Sequence, residues 1–159
     1  MQRQRVFLAA ALLSIYAARS AGAITYDWNN AAGGFYGTPG NWTPAGPPTS
    51  NDTARFSLAN TYTVTLNTSA SVNALSQTQG DVTLNLNNSF FTASSATNNI
   101  LGAAGLTSTL RVTAGNFIPG SFAVGGVTGS TSNLYLDTAS STTVNFGTFY
   151  VGTSGTGNL

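Results

Sequence analysis

The chain of 159 residues contains no cysteine and no histidine. It also lacks lysine and glutamate, so its five cations are all Arg and its four anions all Asp. These absences exclude a great deal. A nucleophilic triad or metal centre built on histidine cannot exist here. A cysteine nucleophile, a disulfide framework and a thiolate metal site are excluded as well. So are a lysine Schiff base and a phosphate-loop lysine. Charged residues make up 6% of the chain. That is too few for the phosphate neutralisation nucleic-acid binding requires, so no nucleic-acid partner is expected.

What is present begins with a separate N-terminal text. Met1-Gln2-Arg3-Gln4-Arg5 is basic, Val6 to Ala18 is apolar, and Ala21-Gly22-Ala23 is a small-x-small cleavage signature. Together these form a secretory signal peptide over 1–23, and the apolar run is too short to span a membrane. Removal after Ala23 takes Arg3, Arg5 and Arg19 with it, leaving Arg55 and Arg111 against four Asp. The expected location is secreted or at the cell surface. An exported chain without cysteine is compatible with a bacterial exoprotein.

In residues 24–159, Thr, Ser, Asn and Gly account for 72 of 136 positions. Such a composition could signal disorder, but 42% of the chain is hydrophobic and 11% aromatic, enough to bury a core. The apolar residues alternate with Thr and Asn, the period of a half-buried strand. Thr favours strands, while Asn and Gly favour tight corners.

The alternation recurs. Leu84, Leu110, Leu134 and Leu159 each follow a small polar residue, at spacings of 26, 24 and 25. Leu101-Gly102, Val124-Gly125 and Val151-Gly152 keep nearly the same period, and Phe91, Phe117 and Phe146 fall between the two sets. Each period therefore holds three short apolar stretches. One such unit cannot bury its own apolar face, but a stack can. The expected fold is all-β: a right-handed parallel β-helix, or β-solenoid, with about 25 residues per three-strand coil over 57–159. Leu84, Leu110, Leu134 and Leu159 are expected in one inward column, and Leu86, Val112 and Leu136 in the next. Leu101, Val124 and Val151 would form another, and the three Phe a fourth. Thr83, Asn85, Thr109 and Tyr135 should point outward, Gly102, Gly125 and Gly152 should turn corners, and Asp137–Thr142 should be a loop that stretches one coil. A β-sandwich with evenly spaced strands is the competing architecture.

Residues 24–56 differ in texture. They hold Trp28, Trp42, the run Gly33-Gly34-Phe35-Tyr36-Gly37 and every proline except Pro119. They are expected to be an N-terminal cap over the open end of the solenoid. Trp28, Tyr36 and Trp42 are candidate ligand-binding residues if they form a sugar-stacking platform; otherwise they are the apolar plug of the cap.

The stretch Phe149-Tyr150-Val151-Gly152-Thr153-Ser154-Gly155-Thr156-Gly157-Asn158-Leu159 resembles the repeat of autotransporter-passenger and PEP-CTERM-associated β-solenoid exoproteins. Leu101-Gly102 through Val112 and Val124-Gly125 through Leu136 match it more loosely. Trp28, Gly40-Asn41-Trp42, Pro47-Pro48 and Asn51-Asp52-Thr53-Ala54 with Phe56 resemble the opening of such proteins. The resemblance implies a secreted or surface-displayed bacterial repeat protein with a structural or adhesive role and no catalysis. It brings no catalytic residues and no cofactor. Its partners would be an extracellular glycan, matrix or cell surface. The family's C-terminal anchor motif is not seen, and the last repeat stops at Leu159. The sequence therefore reads as the N-terminal part of a longer protein, with self-association through an open solenoid end as a further expectation.

The alternative is a carbohydrate-active β-helix, a polysaccharide lyase or hydrolase. Glycoside hydrolysis needs two carboxylates roughly 5–10 Å apart. Asp27 and Asp52 could meet in the cap, whereas Asp81 and Asp137 lie two repeats apart at expected turns. No Asp-rich loop suits calcium, so no metal site is expected. The Asn-x-Ser/Thr sequons at Asn41, Asn51, Asn67 and Asn87 are no more than such a composition provides by chance.

Overall fold

The computed structural model describes residues 22–137 and 142–159. Most of the expected signal peptide and the centre of the Asp137–Thr142 loop thus lie outside the described residues.

The first coil contains β1 (Thr25–Trp28), β2 (Gly34–Phe35), a 3-10 turn at Pro39–Asn41, and β3 (Trp42–Thr43). The second contains β4 (Thr53–Phe56), β5 (Thr61–Thr65) and β6 (Ala70–Val72). The third contains β7 (Ala74–Gln77), β8 (Gly80–Asn85) and β9 (Phe90–Ala93). β10 (Asn99–Leu101), β11 (Thr107–Thr113) and β12 (Asn116–Pro119) make the fourth. β13 (Ser121–Val124), β14 (Thr131–Leu136) and β15 (Thr143–Val144) make the fifth, followed by β16 (Thr148–Val151) and β17 (Thr156–Asn158).

Corresponding strands stack into three sheets. The first runs β16-β13-β10-β7-β4-β1-β3, the second β17-β14-β11-β8-β5-β2, and the third β15-β12-β9-β6. Among the described residues every pairing is parallel except β1 with β3. The result is a parallel β-solenoid of about five turns, with about 25 residues per coil. Within residues 24–56, β1 and β2 extend the first two sheets by one coil, and β3 closes the first sheet antiparallel. Three prolines follow β3 at 44, 47 and 48. Proline cannot donate to a ladder, which suits this sheet edge and no central strand.

The columns differ in register from the sequence expectation. Leu110 lies beside Leu134 but its other neighbour is Val82, and Leu84 pairs with Val112. The inward columns of the second sheet are therefore Tyr62-Val82-Leu110-Leu134 and Val64-Leu84-Val112-Leu136. The reason is uneven corners. One residue, Asn73, joins β6 to β7, whereas 94–98 join β9 to β10. Sequence spacing stretches at such corners while strand pairing does not. Side chains alternate with period two, so this two-residue slip leaves the same class of residue inward. Val82, Leu84, Leu110, Val112 and Leu134 are all buried. The register Leu101-Val124-Val151 stands as expected, preceded by Phe56 and Gln77, but in the last coil Val151 and Leu159, both expected inward, are exposed. In the third sheet Phe91 pairs with Phe117, but the next partner is Val144 and not Phe146. Phe146 still packs on Phe117, 6.3 Å between ring centres.

Gly102, Gly125 and Gly152 have φ of 122°, 68° and 65° and turn corners as expected. At Gly102 a Cβ would sit 2.5 Å from Ser132 Oγ, so both conformation and space demand glycine. Residues Thr83, Asn85, Thr109 and Tyr135 point outward, Tyr135 being exposed. Asp81 is not at a turn; it lies in β8, paired with Thr61 and Thr109.

Candidate functional site

Trp28, Tyr36 and Trp42 are 1%, 4% and 1% exposed. Trp28 and Trp42 meet edge to face at 5.1 Å, and Tyr36 meets Trp42 at 5.1 Å and Phe91 at 5.8 Å. Both indole N–H groups donate to carbonyls, Trp28 to Asn30 and Trp42 to Tyr36, each at 2.7 Å. β1, β3 and the turn between them draw these rings over Phe56 and Tyr62 of the second coil. As a ligand platform they have no accessible face; as packing they seal the first coil. Burial, followed by the nearby Asp52 charge, pushes the Tyr36 phenol well above its ordinary range.

The two carboxylates that could have met in the cap have separate partners. Asp27 forms a two-pronged pair with Arg55, whose Nη2 donates to Asp27 Oδ2 at 2.7 Å while its Nε reaches Oδ1. Asp52 is 6% exposed. Its Oδ2 accepts from Thr49 N at 2.9 Å and Thr49 Oγ1 at 2.6 Å, and its Oδ1 accepts from Ile24 N at 3.1 Å. Burial acts to raise Asp52, but these donors outweigh it and hold the carboxyl below its ordinary value. Among the described residues no group of three or more His, Cys, Asp or Glu side chains could hold a metal ion, and no helix is long and apolar enough to cross a membrane.

The broadest repeating surface is the outward face of the second sheet. Parallel pairing lines its side chains into rows. Thr61, Asp81, Thr109, Asn133 and Asn158 form one row, and Thr63, Thr83, Arg111 and Tyr135 the next. Thr107, Thr131 and Thr156 form a third. Neighbours in a row are about 4.8 Å apart and alternate residues along a strand about 6.6 Å apart. The amides link along the first row: Asn158 Nδ2 donates to Asn133 Oδ1 at 2.8 Å, and Asn133 Nδ2 to Thr109 Oγ1 at 3.3 Å. One charged island interrupts the face. Arg111 lies 3.4 Å from Asp81, with its guanidinium 4.4 Å from the Tyr135 ring centre. The sequence hides this cluster, since Asp81 and Arg111 are thirty residues apart and meet only through the pairing of β8 with β11. A cleft of about 540 Å³ borders Arg111 and Tyr135 and is floored by Leu134, Leu136, Phe146 and Phe149. It lies against the last coil, beside Leu159.

Comparisons with protein-family models, with curated proteins and with solved structures found no match. The outward face is a lattice of hydroxyl and amide groups on a stacked scaffold, interrupted by the Asp81–Arg111 pair.

Proposed function

We propose that the chain is a secreted or surface-displayed bacterial repeat module that acts structurally and adhesively, without catalysis, akin to autotransporter-passenger and PEP-CTERM-associated solenoids. The observation that carries this is the outward face of the second sheet. Its aligned Thr and Asn groups offer many equivalent hydrogen-bonding positions and no concentrated reactive group. Hydroxyl-rich polymers such as extracellular glycans match that chemistry. Individual contacts would be weak, and many copies on one surface would raise avidity by about 10²–10⁴.

The test displays the chain from Ile24 onward in many copies on beads. The beads meet cells, matrix proteins and a polysaccharide panel. Retention is expected, with loss on the triple substitution Thr63→Glu, Thr83→Glu, Thr109→Glu, which charges the face and leaves the core alone. Retention unchanged by that substitution removes the second sheet as the site. No retention anywhere removes adhesion and leaves an architectural role. Cleavage of any polysaccharide by the chain overturns the non-catalytic part.

A further inference from the structure

The sequence marks Ala23–Ile24 as the bond cut on export. The structure shows where the new end would lie. Ile24 precedes β1 directly, and its carbonyl accepts from Thr53 N at 2.8 Å. Its backbone nitrogen donates to Asp52 Oδ1 at 3.1 Å. Gly22, Ala23 and Ile24 are themselves exposed, so a new chain end at Ile24 meets no packing obstacle. Asp52 is anchored from several sides. Its side chain is held by Thr49, and its own carbonyl accepts from Asn73 N at 2.9 Å and Ala74 N at 3.2 Å. Asp52 thus ties the start of the first coil, through its carboxylate, to the corner that opens the third, through its own carbonyl.

We infer that export processing completes this joint: cleavage after Ala23 turns the Ile24 amide into an α-ammonium that ion-pairs with the buried Asp52 carboxylate and locks the first coil onto the stack. The inference rests on the secretion reading above. The step is a hydrolysis by a signal peptidase. The Ala23–Ile24 amide bond breaks, water oxygen joins the Ala23 carbonyl to give a carboxylate, and the proton balance leaves Ile24 as –NH₃⁺. A neutral hydrogen bond already in place becomes charge-assisted, and such bonds are roughly twice as strong. No backbone movement is needed, because Ile24 N already lies at bonding distance from Oδ1. In an unprocessed chain the same carboxylate has neutral donors only.

The charges around the joint favour this. Tyr36 is the titratable neighbour that faces Asp52, and burial keeps it neutral. The adjacent Asp27–Arg55 pair on β1 and β4 carries one charge of each sign. The α-ammonium therefore meets one uncompensated anion.

Two measurements decide the matter. Mass spectrometry of the exported protein should find Ile24 as the first residue. Any other start overturns the inference together with the cleavage it assumes. Next, the chain beginning at Ile24 is compared with one that keeps Ala23 ahead of it. The Ile24 form is expected to have about a tenfold higher folded-to-unfolded ratio in urea, and Asp52→Asn should erase the difference. Equal ratios overturn the pairing while leaving secretion and adhesion standing. Should Asp52→Asn not fold, the α-amine of the Ile24 form is titrated by NMR. Titration above the usual range of about 7.7–8.0 supports the pair, and an ordinary value overturns it.

Discussion

Phe117→Ala tests how the stack holds together. Phe117 is fully buried in β12, in the middle of the third sheet. Its ring lies 6.1 Å from Phe91 in the coil before, and 5.8 Å from Phe122 and 6.3 Å from Phe146 on the side of the coil after. Truncation to Ala removes this shared contact and leaves a cavity, at a cost of about 3–5 kcal/mol. Against a typical total of about 5–15 kcal/mol, that is a large fraction. Apart from Tyr36 of the first coil, which reaches Phe91 of the third, coils in such a stack pack chiefly on their neighbours, so the loss falls first on the fourth coil and its two interfaces. Trp28 and Trp42, the only two Trp, both sit in the first coil. Trp fluorescence therefore reports the N-terminal end, while circular dichroism reports all strands. In urea the variant should lose part of its dichroism at a lower midpoint, with the fluorescence midpoint nearly unmoved. Two probes shifting together by the same amount would refute nearest-neighbour coupling. A shift under about 1 kcal/mol would refute the packing argument itself.

Other outcomes follow from single positions. Gly102→Ala should destabilise by about 2 kcal/mol or more, since φ of 122° and the Ser132 contact both oppose a Cβ; the urea midpoint checks it. Ala114 has φ of 55°, so Ala114→Gly should stabilise by up to about 1 kcal/mol in the same assay. Asp52 has its folded pKa lowered. Its contribution is therefore present above its unfolded value of about 3.9 and is lost as pH falls through the lower folded value. Acid unfolding of the parent should include this loss, and Asp52→Asn should lack it. Arg111→Ala removes a half-exposed, loosely paired cation and should change stability by less than about 1 kcal/mol.

The solenoid itself is legible in the sequence. Strand alternation reveals which side chains turn inward, and inwardness depends only on the period of two. That is why Leu84, Leu110, Val112, Leu101 and Val124 are core residues on either reading, although both columns of the second sheet differ in register and the Phe column continues into Val144. Register depends on corner lengths. The change from Asn73 alone to the stretch 94–98 has no signature in hydrophobic period. The candidate surface was less legible. Arg111, Asp81 and Tyr135 look unrelated along the chain, and only parallel stacking brings them together.

Local sequence determined the all-β class, the coil length, the glycine corners and the inward faces, because each depends on chemistry within a few residues. Tertiary structure decided which coils pair residue by residue, that Trp28, Tyr36 and Trp42 are sealed inside, and that Asp52 receives Ile24. Those outcomes depend mostly on contacts between residues about a dozen or more apart in the chain, where the folded path and not local propensity sets the distance.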